Sequence, residues 1–380
     1  WPAGKTPIAP AGFTVTKFAD KFINPRNIYV APNNDIFISE ANTEVKGVLR
    51  LGAEVLGVSK AERLDESANR ITLLRDTNND GTPDLRTTFL TGLNQPFGML
   101  IIKNHFYVAN TNGLWRYPYK EGDTAITQAG EKILDLPNAG LNIHWTRNLI
   151  ANKDNSKIYI SVGSGSNVAE SGMEIEVRRA NILEINPDGS GERIYASGIR
   201  NPVGIDWEPV TNTLWASVNE RDGLGDDLVP DYLTSVKENG FYGWPYSYYG
   251  KLEPRIKKEE QRLDLVEKAI IPEVPLGNHT ASLGLAFYKG KSFPKEYHNG
   301  AFIGQHGSWN RSEITGYKVV FVPFKDGKPF GRPEDFLTGF IANVEKNEVY
   351  GRPVDTAVLS DGSLLVSDDT ANTIWHVSKQ

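Results

Sequence analysis

One unit recurs six times along this chain: a short polar or proline lead-in, an apolar strand, a polar turn, and a second apolar strand. The first copy is Pro25-Arg-Asn-Ile-Tyr-Val-Ala, a turn at Pro32-Asn-Asn-Asp, then Ile36-Phe-Ile-Ser. Later copies begin at Pro96, His144, Pro202, Leu283 and Pro353. Their spacing of roughly 50 to 80 residues suits propeller blades carrying insertions. A small sheet cannot bury both faces alone, but sheets set in a ring cover each other and leave only short edges. The pattern therefore predicts an all-β, six-bladed β-propeller with four-stranded antiparallel blades and short helical insertions, formed as a single domain over 1–380. Each lead-in would point at the central channel, so residues far apart in sequence would meet there.

The ends fit ring closure. Gly12-Phe-Thr-Val-Thr-Lys-Phe and Thr373-Ile-Trp-His-Val-Ser both alternate as strands and could pair in one blade. Two insertions stand out. Residues 43–70 read as a long charged loop with some helix. Asp231 to Asn239, with an acidic start and a stop at Gly240, reads as a short helix.

Composition narrows the function. Net charge is −6 with no long basic run, which argues against a nucleic-acid surface. No run of about 18 apolar residues predicts a membrane span. With no Cys there are no disulfides, thiolate metal sites or haem attachment through cysteine. A start at Trp1 and the missing Cys suit a mature, processed chain of the periplasm or a secreted protein.

Three segments are polar where a plain blade would be apolar: Asn142-Ile-His-Trp-Thr-Arg-Asn148; Gly198-Ile-Arg-Asn-Pro-Val-Gly204, running on to Asn219-Glu-Arg-Asp-Gly-Leu-Gly-Asp-Asp227; and Gln305-His-Gly-Ser-Trp-Asn-Arg311, followed by Gly351-Arg-Pro353. They supply a histidine base, several arginines and oxygen-rich turns. Arginine grips carboxylates in two-pronged fashion, so such a wall suits a polyanionic ligand. No phosphate-binding glycine loop, zinc-protease helix motif or serine-hydrolase elbow is present.

With these motifs in this order, the chain resembles the soluble PQQ-dependent sugar dehydrogenases, in particular their sorbosone and aldose dehydrogenase branch. The resemblance runs from about Pro25 to Trp375 and is sharpest at His144-Trp-Thr-Arg-Asn, Gly198-Ile-Arg-Asn-Pro-Val-Gly, Asn219-Glu-Arg-Asp-Gly-Leu-Gly-Asp-Asp, Tyr242-Gly-Trp-Pro, His306-Gly-Ser-Trp-Asn-Arg and Gly351-Arg-Pro-Val-Asp. It implies hydride transfer from a sugar or related aldehyde to PQQ, with His144 as general base, and a quinone or cytochrome as electron acceptor. Arg200, Asn201, His306, Arg311 and Arg352 would contact PQQ, with Arg200 near its reactive carbonyl or a carboxylate. The turn at Asp222 and Gly223 would hold Ca²⁺ through backbone carbonyls. Trp145, Trp244 and Tyr246 could shape the sugar or cofactor face.

The chain departs from the family's glucose enzymes in two places. Ser164 stands where they carry an aspartate behind the histidine, and no lysine falls within His306–Arg311. Separately, Asp76-Thr-Asn-Asn-Asp-Gly-Thr-Pro-Asp84 matches half of a calcium loop through Asp76, Asn78, Asp80 and Asp84. Thr87 replaces the closing glutamate, and a polar hairpin turn fits the same residues. His105, His298 and His376 read as structural, while His279 and His306 could face the channel. A calcium-dependent lactonase or other hydrolase propeller, and a non-catalytic binding propeller, remain open beside the dehydrogenase.

Overall fold

The second strand of each unit carries apolar residues without alternation, and its burial explains why. Ile36–Glu40, Ile158–Val162, Leu214–Val218, Ala301–Gln305 and Leu364–Asp368 are buried along their whole length, covered by a neighbouring sheet on each side. The hairpin before each of these strands, and before the second strand of the second unit, His105–Asn110, turns through a residue with positive φ: Asn34, Asn155, Asn212, Asn299 and Gly362, and Lys103 for the last-named strand. Asparagine and glycine tolerate that conformation, so the polar turn of the repeat is a backbone requirement.

The computed structural model describes residues 1–44, 67–78, 80–139 and 142–380. Six antiparallel sheets of four strands follow in chain order. Blade 1 is Pro25–Val30, Ile36–Glu40, Arg70–Arg75 and Leu85–Leu90. Blade 2 is Met99–Ile102, His105–Asn110, Gly113–Pro118 and Glu131–Asp135. Blade 3 is Leu149–Ala151, Ile158–Val162, Asn181–Ile185 and Arg193–Ser197, with Gly240–Phe241 added in parallel. Blade 4 is Pro202–Trp207, Leu214–Val218, Pro230–Ser235 and Val274–Asn278. Blade 5 is Ser282–Phe287, Ala301–Gln305, Lys318–Val322 and Glu334–Leu337. Blade 6 is Pro353–Val358, Leu364–Asp368, Thr373–Lys379 and, as its outer strand, the N-terminal Phe13–Ala19. That last pairing, with Phe13 opposite Lys379 and Val15 opposite Val377, closes the ring as the terminal patterns suggested.

Burial follows the ring. Six apolar clusters lie one between each pair of adjacent blades. Phe37 and Phe89 meet Phe106 between blades 1 and 2, and Phe302 and Phe336 meet Phe13 and Trp375 between blades 5 and 6. A seventh cluster takes one residue from each blade: Ala41, Phe97, Trp145, Val203, Leu283 and Val354. It blocks the axis and gives the central channel an apolar floor.

Two local expectations are corrected. The stretch from Asp231 is strand, not helix: Pro230–Ser235 forms the third strand of blade 4. The Asp231 carboxylate accepts from Glu220 N at 2.8 Å and Ser282 N at 2.7 Å, and these long-range bonds outweigh a local acidic N-terminal signal. In blade 3 the first strand spans only Leu149–Ala151, so His144 to Asn148 stay outside the ladder and serve the site instead. Of the insertion at 43–70, residues 45–66 lie outside the described residues.

Candidate active and cofactor site

Above the apolar floor lies a cavity of about 670 Å³. It collects residues from the lead-ins of the blades and from the loops that follow their second strands, which meet at the same end of the channel. Asn24 and Arg26 come from blade 1, Asn94 and Gln95 from blade 2, and His144 from blade 3. Arg200, Asn201 and Asp222 come from blade 4, His279 and His306 from blade 5, and Arg352 and Asp369 from blade 6.

His144 is held through one ring nitrogen. Nδ1 lies 3.0 Å from the Ser164 carbonyl oxygen and 2.9 Å from Ser164 Oγ. Ser164 Oγ donates its own proton to the Ser166 carbonyl at 2.6 Å, so it can only accept from the ring. Nδ1 therefore carries the proton and Nε2 carries the lone pair. Burial first, then the nearby Arg200 guanidinium, hold His144 well below the ordinary histidine value and keep the ring neutral. The loop behind it is fixed by Arg147, fully buried, which donates to His144 O at 2.7 Å and Pro137 O at 2.8 Å.

Arg200 lines the cavity but is committed to the protein. Nε donates to Asn167 O at 3.2 Å, Nη1 to Glu220 O at 2.6 Å, and Nη2 to Asn167 Oδ1 at 2.8 Å. It thereby ties blade 4 to the loop after Val162. Arg352 is 5% exposed and donates to His306 O at 3.0 Å and Gly307 O at 3.2 Å, and its guanidinium makes no ion pair among the described residues. Asp369 acts on this guanidinium at longer range, and a buried guanidinium with no directly paired carboxylate suits an anionic ligand. Beside it, His306 Nε2 meets both carboxylate oxygens of Asp369, at 3.0 and 2.9 Å, and Arg26 caps the same carboxylate. Burial would raise Asp369, but His306 and Arg26 outweigh it and hold the carboxyl well below its usual range.

The Asp222 turn is dense with donors. Asp222 O accepts from Asn167 Nδ2 at 2.9 Å and Arg255 Nη1 at 2.5 Å. Asp222 Oδ1 accepts from Asn310 Nδ2 at 2.8 Å and lies 3.2 Å from His279 Nδ1. His279 Nε2 lies 2.8 Å from Gly225 O. The hydrogen bond to Asp222 raises the His279 pKa.

Other expected residues lie apart from this cluster. Gly223 and Arg311 are not among the residues lining the cavity; Arg311 Nε donates to Asp226 O at 3.3 Å. The Asp76–Asp84 turn sits on the blade 1 surface, where Asp76, Asn78 and Asp80 accept backbone amides of their own turn and Asp84 accepts from Thr77. Trp145 belongs to the floor, with Nε1 bonded to Thr43 Oγ1. Trp244 is buried and donates to Asn167 O, and Tyr246 does not line the cavity. His298 Nε2 bonds Phe293 O, His376 Nε2 bonds Ser363 Oγ, and His105 opens the second strand of blade 2. Asn167, Arg255, Arg26 and Asp369 had no motif to announce them, because their roles arise from contacts between distant segments.

The sequence family described as "Domain of unknown function (DUF7133)" matches residues 53–378. The chain belongs to that family. A DUF7133 chain of this length has a long relative in Borreliella burgdorferi, an uncharacterized protein 33% identical over 309 residues, covering 76% of this chain and 77% of that one. A shorter match joins the DUF7133 chain to the aldose sugar dehydrogenase YliI of Escherichia coli, 31% identical over 121 residues, 32% of this chain and 30% of YliI. Among solved structures, the holo PQQ domain of a pyranose dehydrogenase from Coprinopsis cinerea shares the fold with a TM-score of 0.75 and 19% identity, over 98% of this chain and 97% of that one. The resemblance to the soluble PQQ-dependent sugar dehydrogenases thus holds in sequence and in fold. Among the described residues no helix is long and apolar enough to cross a membrane.

Proposed function

We propose that this chain, as a single propeller domain, is a PQQ-dependent oxidoreductase that oxidises an aldose sugar or a related, sorbosone-like aldehyde. The observation that carries the reading is one cavity holding both a neutral imidazole with a free Nε2 lone pair and a buried guanidinium, Arg352, with no direct ion pair among the described residues. The first suits a base and the second an anionic cofactor. Relatives named as an aldose sugar dehydrogenase and a PQQ-bearing pyranose dehydrogenase support it.

Arg352, Arg200, Asn201 and His306 would hold PQQ over the floor of Trp145, Val203 and Leu283. Bound there, PQQ supplies the two-electron acceptor for hydride. His144 Nε2 takes the proton of the anomeric hydroxyl, with Ser164 fixing the ring. The donor chemistry fits PQQ. For calcium it does not: the Asp222 carbonyl and Oδ1 already accept from nitrogen donors, and no step here runs through a metal ion. Electrons would leave to a quinone or cytochrome, and the chain would work in the periplasm or outside the cell, where the lack of Cys is no handicap.

The test is titration of the purified protein with PQQ, followed by dye reduction with a panel of aldoses. Saturable binding and sugar-dependent reduction are expected; neither quinone binding nor reduction would overturn the reading. A metal-dependent hydrolase would need a cluster of carboxylates, and among the described residues no group of three or more His, Asp or Glu side chains is arranged to hold an ion. Lactone hydrolysis without PQQ would nevertheless reinstate it. Binding of a glycan with no turnover would mark a non-catalytic propeller.

A further inference from the structure

We infer that Arg255 and His279 occupy the place where a divalent cation would sit at the Asp222–Gly223 turn, so that ligand binding in this cavity is independent of calcium. The inference rests on the PQQ reading for its cofactor, but its observations are the turn's own. A calcium site needs six to eight oxygen ligands, commonly carbonyls and carboxylates left open to the ion. Here the Asp222 carbonyl is closed by Arg255 Nη1 at 2.5 Å and Asn167 Nδ2 at 2.9 Å. Arg255 Nη1 would lie 2.8 Å from a Cβ placed on Gly223, so the guanidinium fills the space beside that residue as well. The Asp222 carboxylate is closed by Asn310 Nδ2 and His279 Nδ1, and the Gly225 carbonyl by His279 Nε2. The Asp222 carbonyl and Oδ1 thus accept from nitrogen donors, the Gly225 carbonyl faces His279 Nε2, and Asp222 Oδ2 lies 3.7 Å from Arg200 Nη2.

The arrangement is anchored from below. Glu253 is fully buried and takes both Arg255, through Nε at 2.6 Å and Nη2 at 3.1 Å, and Arg221, through Nη1 at 3.1 Å. Arg221, also fully buried, continues to Glu220 Oε2 at 2.9 Å and to the carbonyls of Pro245 and Ser247. A guanidinium held two-pronged by a buried carboxylate cannot swing away cheaply. Arg255 is therefore a fixed cation aimed at the turn, doing with nitrogen donors what a metal ion would do with its charge.

The test uses the whole chain carrying Asp80→Asn and Asp84→Asn, which remove the surface turn of blade 1 as a second source of bound calcium. After chelation, metal content and calcium binding are measured by elemental analysis and calorimetry, and PQQ binding by absorbance titration, with and without added calcium. No stoichiometric calcium is expected, and a PQQ affinity unchanged within about twofold by chelator or calcium. One equivalent of tightly bound calcium, or PQQ affinity lost on chelation and restored by calcium, overturns the inference. If PQQ does not bind under any condition, the proposed function fails while the calcium measurement still decides this one. Arg255→Ala in the same background opens the Asp222 carbonyl; it is expected to weaken PQQ binding and make it responsive to calcium. An Arg255→Ala protein that folds, binds PQQ as before and ignores calcium would show that the guanidinium has no such role.

Discussion

Ser164 Oγ lies 2.9 Å from His144 Nδ1 while donating its own proton to Ser166 O at 2.6 Å. A hydroxyl used up as a donor on one side can only accept on the other, so it selects the tautomer of the histidine without adding charge. Because the Ser164 carbonyl lies 3.0 Å from the same nitrogen, Ser164→Ala leaves one acceptor in place. One neutral hydrogen bond is worth about 1 kcal/mol, so kcat should fall by about tenfold or less. Ser164→Asp puts a carboxylate behind the ring and favours its charged form. Burial and Arg200 keep the native His144 low, so the acid limb of kcat/KM should lie below the ordinary histidine value. In Ser164→Asp that limb should move to higher pH. A pH profile by dye reduction checks both; an unmoved limb in the aspartate variant would show that His144 is not the titrating base.

His144→Gln removes the Nε2 lone pair and keeps a side chain of similar reach. General-base catalysis is worth roughly 10²- to 10⁴-fold, and kcat should drop by that order. The cationic wall is untouched, so PQQ affinity by absorbance titration should stay within a few-fold. Loss of binding together with turnover would assign His144 to holding the cofactor.

Arg352 makes no ion pair among the described residues, though only 5% exposed. Arg352→Gln keeps a donor for the His306 and Gly307 carbonyls but removes the charge. A charge-assisted bond is worth about 1.5 to 3 kcal/mol, so PQQ affinity should weaken by roughly 10- to 100-fold. Calorimetric titration reads this directly, and an unchanged affinity would place the anionic part of the ligand elsewhere.

The ring was legible because its signal is physical and local. Each blade needs an apolar second strand and a left-handed turn, and Ile36–Glu40 after Asn34 or Leu364–Asp368 after Gly362 displays both. Ring closure then brought His144, Arg200 and Arg352 together, as the lead-in rule predicts, and His306 joins them from the loop after the second strand of blade 5. What failed were signals that tertiary contacts override. Asp231 looked like a helix start but is the buried acceptor for amides at Glu220 and Ser282. The committed state of Arg200, and the Arg255–Asp222 contact, were invisible because they join the blade 4 insertions to other loops with no periodicity linking them. Arg311 matched a motif yet turns to Asp226, since a residue at the end of a matching block is steered by the loop that follows it.

Asp355 links two blades and should make stability depend on pH. It lies on the first strand of blade 6, and its Oδ2 accepts from Asn27 Nδ2 at 2.7 Å and Ile28 N at 3.0 Å in blade 1. Burial raises its pKa to about 7, against the opposing effect of those two donors. In the unfolded chain an aspartate titrates near 3.9. Between these values the folded protein binds the proton more tightly than the unfolded one. The contribution to stability is therefore fully present below about pH 4 and is lost as pH rises through about 7. Asp355→Asn does not titrate and serves as the reference, although other carboxylates still move the absolute Tm of both proteins. The difference, Tm of the native chain minus Tm of Asp355→Asn, should fall steadily from pH 4 to pH 7 and level off above it. If that difference instead grows with pH, the carboxylate is stabilising in its charged form, and the seam between blades 6 and 1 is held by an ionised aspartate with donors enough to offset its burial.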